Sequence, residues 1–367
     1  MDEEINSVIF DLAYLVGCAV DGVIPDAERV SRMDLDAVYQ EAGRHMLSAA
    51  AAMALESAGM RDDRSSRIIS LSVRKTSLFD RERKAILEKF EENGIWYMPL
   101  KGILIKELYP KYGMREMCDN DILVDAGRLN DIRDIMLALG FTEGEKGMIH
   151  DSYFKNPLNF EIHKALFKQA KNGKFDGYFD NVKEFLIKDE NNQCGWHFST
   201  EDFYAYILAH ANRHISGGGT GIRSLLDIYV ISAKLHPDRN KVLPVLEKTG
   251  LTEFESDMKL LSQDLFRGNQ LTAQEMELLR YVETSGAYGT ISHRVENRIR
   301  EAGGGKSGKR HYIFRRLFPS MERIKEGKPF FYRHKILLPF LLPYRLGRGL
   351  LKHRTRLISE FKALLKL

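Results

Sequence analysis

Cysteine is scarce. Cys18, Cys118 and Cys194 are the only three in 367 residues. They are widely spaced and fit no CxxC pattern, so a reducing, cytoplasmic compartment is expected. The opening MDEE lacks the basic start of a secretory leader, and none is expected. Long apolar runs are missing too. VIFDLAYLVGCAV (8–20) is interrupted by Asp11 and ILLPFLLPY (336–344) has two prolines in nine residues. Both are too short to span a bilayer, and the first reads as a core helix. No internal repeat or long low-complexity segment is evident.

What is present is ample core-forming material. At 44% hydrophobic and 29% charged, a chain of this length is expected to fold into two or three structural units. Charge is unevenly spread. From Arg294 onward there are 20 Lys and Arg against 5 Asp and Glu, while the preceding residues hold 35 against 46. A basic tail after an acidic body implies a separate role for the tail. Its aromatics interleave with cations (HYIFRRLF, FFYRHK), a pattern that suits nucleic acid or an anionic membrane surface. The plainer expectation is that the tail packs on the acidic body, because its apolar groups need burial.

Residues 1–75 read as helical, with alanine runs such as SAAAAMALESAG. LFDRERKAILEKFEEN (78–93) is an amphipathic helix closed by Gly94. IWYMPL then reads as a strand running into Lys101-Gly102, followed by a short helix stopped by Pro110. ILV (122–124) is a second strand, RLNDIRDIMLALGF (128–141) a helix, and LNFEIHKAL (158–166) a third strand. This order predicts a small α/β or α+β unit over 76–170. A helical region over 171–290 follows, opening with Ser199 as N-cap and Asp202 in place of the usual Glu. The tail is 291–367, and EAGGGKSGKR (301–310) reads as a flexible linker.

The chemistry concentrates in MREMCDNDILVD (114–125). Asp119 and Asp121 stand two residues apart, so on a strand they share a face. Two such charges repel unless a cation sits between them. Either a divalent metal occupies the pair or both are solvated at a strand start. If the pair is a metal site, neutralising Asp121 should leave the metal-free protein equally or slightly more stable.

Helix, strand, PLKG, helix, YPKYGMREMCDNDILV, helix ending LGF, then FEIHKAL resembles nucleotidyltransferases of the DNA polymerase beta-like superfamily. Their pattern is LKG, then R-x-x-x-D-x-D-L-L-V, then an acidic-x-His strand. The resemblance covers about 78–167 closely and is looser to 290. It implies an α+β fold, a small mixed β-sheet nucleotidyltransferase core flanked by N- and C-terminal helical regions. It also implies metal-dependent transfer of a nucleotidyl group from an NTP, with ATP the first choice, to a hydroxyl of a small molecule, sugar or protein. The alternative is a non-catalytic module of the same fold that binds a nucleotide or partner.

Under this resemblance Asp119, Asp121 and Glu161 are the catalytic and metal-binding residues, holding Mg²⁺ or Mn²⁺. Glu161 either completes the metal site or accepts the proton of the attacking hydroxyl; without the family pattern it is an ordinary surface carboxylate. Lys101 and Gly102, at a strand-to-helix turn, are expected at the phosphates, although superfamily members more often carry Gly-Ser there. Lys101 can equally snorkel at a sheet edge. Arg115 can pair with phosphate or with Asp119. His163, on the face of Glu161, can orient a carboxylate, contact the nucleotide or be structural. Asn120 replaces an apolar residue, which predicts a partly exposed strand end. His210 and His214 have zinc-ligand spacing without a third ligand, and Arg223 and Asp227 are spaced for a helix ion pair.

Overall fold

The computed structural model describes residues 5–167, 177–352 and 354–366. The expected boundary at 170/171 and the MDEE start lie outside these residues. The chain divides into two compact units. One runs to Asn212 and takes in Gly221–Glu283; the other comprises Arg213–Thr220 and everything from Thr284 onward.

The first unit opens with five helices: α1 (Val8–Asp21), α2 (Ala27–Ser31), α3 (Leu35–His45), α4 (Ser48–Ser57) and α5 (Asp63–Glu92). The alanines of α4 are fully buried, and such small side chains let α1 and α5 pack closely on it. Asp62 caps α5 in a reciprocal box with Ser65.

Next come β1 (Tyr97–Pro99), α6 (Gly102–Ile105), β2 (Asn120–Val124), α7 (Leu129–Ala138), β3 (Thr142–Lys146), β4 (His150–Lys155) and β5 (Leu158–His163). These strands form one mixed sheet in the order β1-β2-β5-β4-β3. Only β2 and β5 run parallel; the other pairings are antiparallel. Alternation then sorts the side chains. Ile122, Val124, Phe160 and Ile162 join Phe79, Ile86 and Phe90 of α5 and Ile132 and Met136 of α7 in one core. Asp121, Glu161 and His163 are left on the opposite face.

The β3–β4 hairpin was not among the expected strands. Its edge strand TEGEK is polar and largely exposed, so no apolar alternation marks it. In β4 the buried positions are Asp151 and Tyr153, and Asp151 is held by Lys164 at 2.7 Å. A small ladder of β6 (Ile187–Lys188) and β7 (Trp196–His197) precedes helices α8 (Thr200–Gly217), α9 (Ile222–Leu235), α10 (Arg239–Thr249), α11 (Thr252–Arg267) and α12 (Ala273–Ser285). As expected, Ser199 Oγ accepts from the Asp202 N–H at 3.0 Å at the head of α8. Gly17 lets α1 approach α11, since a Cβ there would lie 2.5 Å from the Phe266 carbonyl oxygen.

The second unit contains α13 (Ile291–Glu301), α14 (Gly305–Leu317), α15 (Met321–Gly327), α16 (Pro329–Arg333), α17 (Leu341–Lys352) and α18 (Arg354–Lys366). Residues 301–310 are the end of α13, a tight corner at 302–304 and the start of α14 rather than a flexible linker. Gly303, Gly304 and Gly305 all take positive φ, and a Cβ on Gly308 would stand 2.3 Å from the Ile299 carbonyl oxygen. Glycine here permits the turn and the close approach of α13 and α14. The unit's core is small, built on Val295, Ile299, Tyr312 and Ala363.

Candidate active site

The parallel pairing of β2 with β5 sets Asp121 directly beside Glu161, and Leu123 beside His163. His163 Nε2 stands 2.7 Å from Asp121 Oδ1 and 3.6 Å from Glu161 Oε2, so one imidazole nitrogen faces both carboxylates. Lys101 Nζ donates to the same Asp121 Oδ1 at 2.7 Å. Asp121 is thus buried between the Lys101 ammonium and the His163 imidazole. Burial works to raise its pKa, but Lys101 and His163 outweigh it and hold the carboxyl far below the usual range. Burial likewise works against the His163 cation, and its bonds to Asp121 and Glu161 more than offset this, so its pKa rises.

Asp119 lies just before β2, half-buried. Its carboxyl is pushed up to about 6, chiefly by burial and then by Asp121, with Glu161 adding and Lys101 opposing. Repulsion between the acids therefore falls on Asp119, whereas Asp121 is satisfied. This changes the expectation that neutralising Asp121 would be harmless to the metal-free fold.

Lys101 occupies an unusual backbone conformation. Among the described residues, three that are not glycine take positive φ. Met46 and His236 do so as ordinary left-handed helix caps, whereas Lys101 has φ 48° and ψ −119°. That combination belongs to the first central position of a II′ turn, which favours glycine, and a lysine there is strained. The turn is closed by the Ile103 N–H donating to the Leu100 carbonyl at 3.2 Å. Among the described residues no acceptor takes the N–H groups of Lys101 or Gly102.

Gly102 is required by what lies beneath it. A Cβ would meet Arg115 Nη1 at 2.7 Å and the Met117 methyl at 3.1 Å. Arg115 is itself buried, and its Nε and Nη2 donate to the two oxygens of Asp227 at 2.8 Å each. Tyr109 adds a third bond to Asp227 at 2.8 Å. Asp227 of α9 therefore pairs with Arg115, not with Arg223 as the i,i+4 spacing predicted. Arg223 instead donates to the Glu116 carbonyl at 3.3 Å.

Asn120 departs from expectation as well. It is fully buried and faces α5, where Arg83 Nη1 donates to its Oδ1 at 3.0 Å. A partner from α5, which the local sequence could not reveal, removes the need for exposure. His150 of β4 is the site residue that sequence reading missed, because its strand was missed. It pairs in register with His163, and its Nδ1 lies 3.5 Å from Glu161 Oε2. His150, Glu161 and His163 offer ligand atoms all within 4.8 Å of one another, and among the described residues no other such group of three occurs. His210, half-buried against Tyr206, and the exposed His214 are not part of it.

An α+β fold that sets carboxylates on paired strands beside a tight turn is the setting of a nucleotidyl-transfer enzyme. Residues 31–267 match the family described as uncharacterised nucleotidyltransferase, and the chain belongs to that family. Among curated proteins none matches significantly. Solved structures show a distant, partial likeness. A crystal structure of ANT(2")-Ia in complex with adenylyl-2"-tobramycin is 12% identical with TM-score 0.36, over 48% of this chain and 97% of that one. A solution structure of antibiotic-resistance factor ANT(2'')-Ia is 11% identical with TM-score 0.37, over 50% and 96%.

Proposed function

We propose that this nucleotidyltransferase moves a nucleotidyl group from an NTP, ATP foremost, to a hydroxyl of an acceptor, using a divalent metal held by Asp119, Asp121 and Glu161. The observation that carries this reading is the placement of Asp121 beside Glu161 in register, next to an Asp119 carboxyl pushed up by burial and by Asp121. Carboxylate oxygens suit Mg²⁺; the nitrogens of His150 and His163, whose ligand atoms lie within 4.8 Å of each other and of Glu161, would also suit Mn²⁺. When bound, the ion supplies neutralisation of the triphosphate and polarises the α-phosphoryl group.

The chain's own residues have separable parts. Lys101 brings a positive charge to the site, and its strained backbone is understandable if that side chain is needed at the phosphates. The open N–H groups of the Lys101-Gly102 turn are suited to phosphate oxygens. Arg115, with two nitrogens tied to Asp227, supports the turn from below. His163 orients Asp121. Glu161, only partly buried, is placed to take the acceptor hydroxyl proton as the new O–P bond forms and pyrophosphate leaves with the electrons of the broken P–O bond.

A mass-spectrometric screen with each NTP and Mg²⁺ or Mn²⁺ tests the reading. A nucleotidylated acceptor or self-modified chain is expected, with pyrophosphate released. Lys101→Ala should weaken NTP binding about tenfold or more, the scale of one charge-assisted contact. Unchanged NTP affinity in that variant would remove Lys101 from the phosphate site.

A further inference from the structure

The second unit has more apolar surface and more positive charge than its small core can use. Phe314 and Phe318, one turn apart on α14 and its C-cap, are 61% and 53% exposed, with ring centroids 5.2 Å apart. Ile336, Phe340, Leu346 and Leu351 are exposed as well. The sequence led us to expect burial of these groups. Leaving them in water is unfavourable at about 25 cal/mol per Å² of apolar surface, so exposure on this scale marks a contact surface.

The helix that carries the two phenylalanines also lines a cavity of about 380 Å³. Arg298, Arg315, Arg316 and Arg323 surround it, with His311 and Ser320; Glu301 is the one acid in the lining. Arg316 is tied to Glu360 at 2.7 and 3.0 Å. Arg298, Arg315 and Arg323 are exposed, and among the described residues no acid pairs with them. Exposed guanidinium groups converging on a cavity of this size fit phosphate oxygens.

We propose that the C-terminal helical unit docks on an anionic lipid bilayer, its arginine cavity receiving lipid phosphates and its exposed apolar side chains entering the headgroup–acyl boundary. The charge of the segment, 20 basic against 5 acidic residues from Arg294 onward, complements such a surface. Nucleic acid would use the arginines and aromatics but has no apolar phase for aliphatic Ile336, Leu346 and Leu351; a bilayer interface takes aliphatic and aromatic side chains alike. No described helix is long and apolar enough to cross a membrane, so the contact is with the surface.

The full chain should co-sediment with vesicles of phosphatidylcholine containing about a third phosphatidylserine, and not with phosphatidylcholine alone. Arg315→Ala with Arg323→Ala should weaken binding about tenfold or more, given the contribution of each cation near an anionic leaflet. Phe314→Ser with Phe318→Ser should also weaken it, most visibly at raised salt, with no change in charge. In a Phe318→Trp variant the indole emission should shift blue on adding anionic vesicles, a readout that survives if the double variant folds poorly. Equal binding to neutral vesicles, unchanged affinity in the phenylalanine pair, or no blue shift would overturn the proposal. So would tight binding to an RNA homopolymer without vesicle binding, which would make the surface a nucleic-acid site.

Discussion

Asp119 and Asp121 share a residue type and a spacing, yet their surroundings give them opposite energetic roles. Asp121 accepts from Lys101 and His163, both at 2.7 Å; removing its charge leaves a largely buried ammonium without its counter-ion. Asp119 bears the repulsion. In metal-free, chelated buffer at neutral pH, Asp121→Asn should therefore cost roughly 2–4 kcal/mol of folding stability. Asp119→Asn should leave stability unchanged or raise it by on the order of 1 kcal/mol, because only part of the shift survives solvent screening. Thermal denaturation of the two variants checks this, and equal losses in both would mean that the carboxylates are structurally equivalent. Both changes should abolish turnover if the proposed metal site is right.

At the scale of elements, the joint between α3 and α9 carries a titratable lock. His45, fully buried at the end of α3, accepts from the Ile222 N–H at the head of α9 at 3.3 Å. Its pKa is lowered to about 4, first by burial and then by Arg44; Glu41 lies 3.8 Å away, beyond hydrogen-bond reach. A base depressed on folding binds fewer protons in the native than in the unfolded state between pH 6.5 and about 4. Its stabilising effect is then complete above pH 6.5 and is lost as pH falls through that window, by about 3 kcal/mol at most. Urea unfolding at pH 7.5 and 5 should show the loss in the wild type and a smaller one in His45→Gln. Identical pH dependence in the two would assign the acid sensitivity elsewhere.

Elements with strong local patterns were readable from the sequence: α7, α8 and strands β1, β2 and β5 lie where apolar periodicity and caps placed them, whereas α5 ends just before Gly94 as expected but begins at Asp63 and runs unbroken through the boundary expected at 75/76. The β3–β4 hairpin was not readable, because an exposed edge strand can be polar throughout and Asp151 depends on Lys164 for its burial. His150 was lost with it. The partners of Arg115 and Asn120 were also hidden, since Asp227 and Arg83 are distant in sequence and their nearness is a property of the packed chain. The corner at Gly303–Gly305 was misread for a related reason: glycine composition alone does not distinguish a flexible linker from close helix packing.

For the molecule as a whole, the helices of the first unit and its sheet together form the scaffold of a nucleotidyltransferase. α5 and α7 cover one sheet face with an apolar core, and the other face is thereby free for charge. The Arg115–Asp227 pair ties the turn after β1 to α9, so the Lys101-Gly102 turn is braced from the helical region as well as from the sheet. In the proposed function Asp119, Asp121 and Glu161 hold one divalent-metal site serving an NTP. Electron paramagnetic resonance of Mn²⁺ titrated into the protein with ATP tests it without knowledge of the acceptor. The wild type should bind Mn²⁺ beyond what ATP alone retains, and this excess should vanish in both Asp121→Asn and Glu161→Gln. Folded variants that keep the full Mn²⁺ signal, or a wild type that adds nothing to ATP, would contradict the claim.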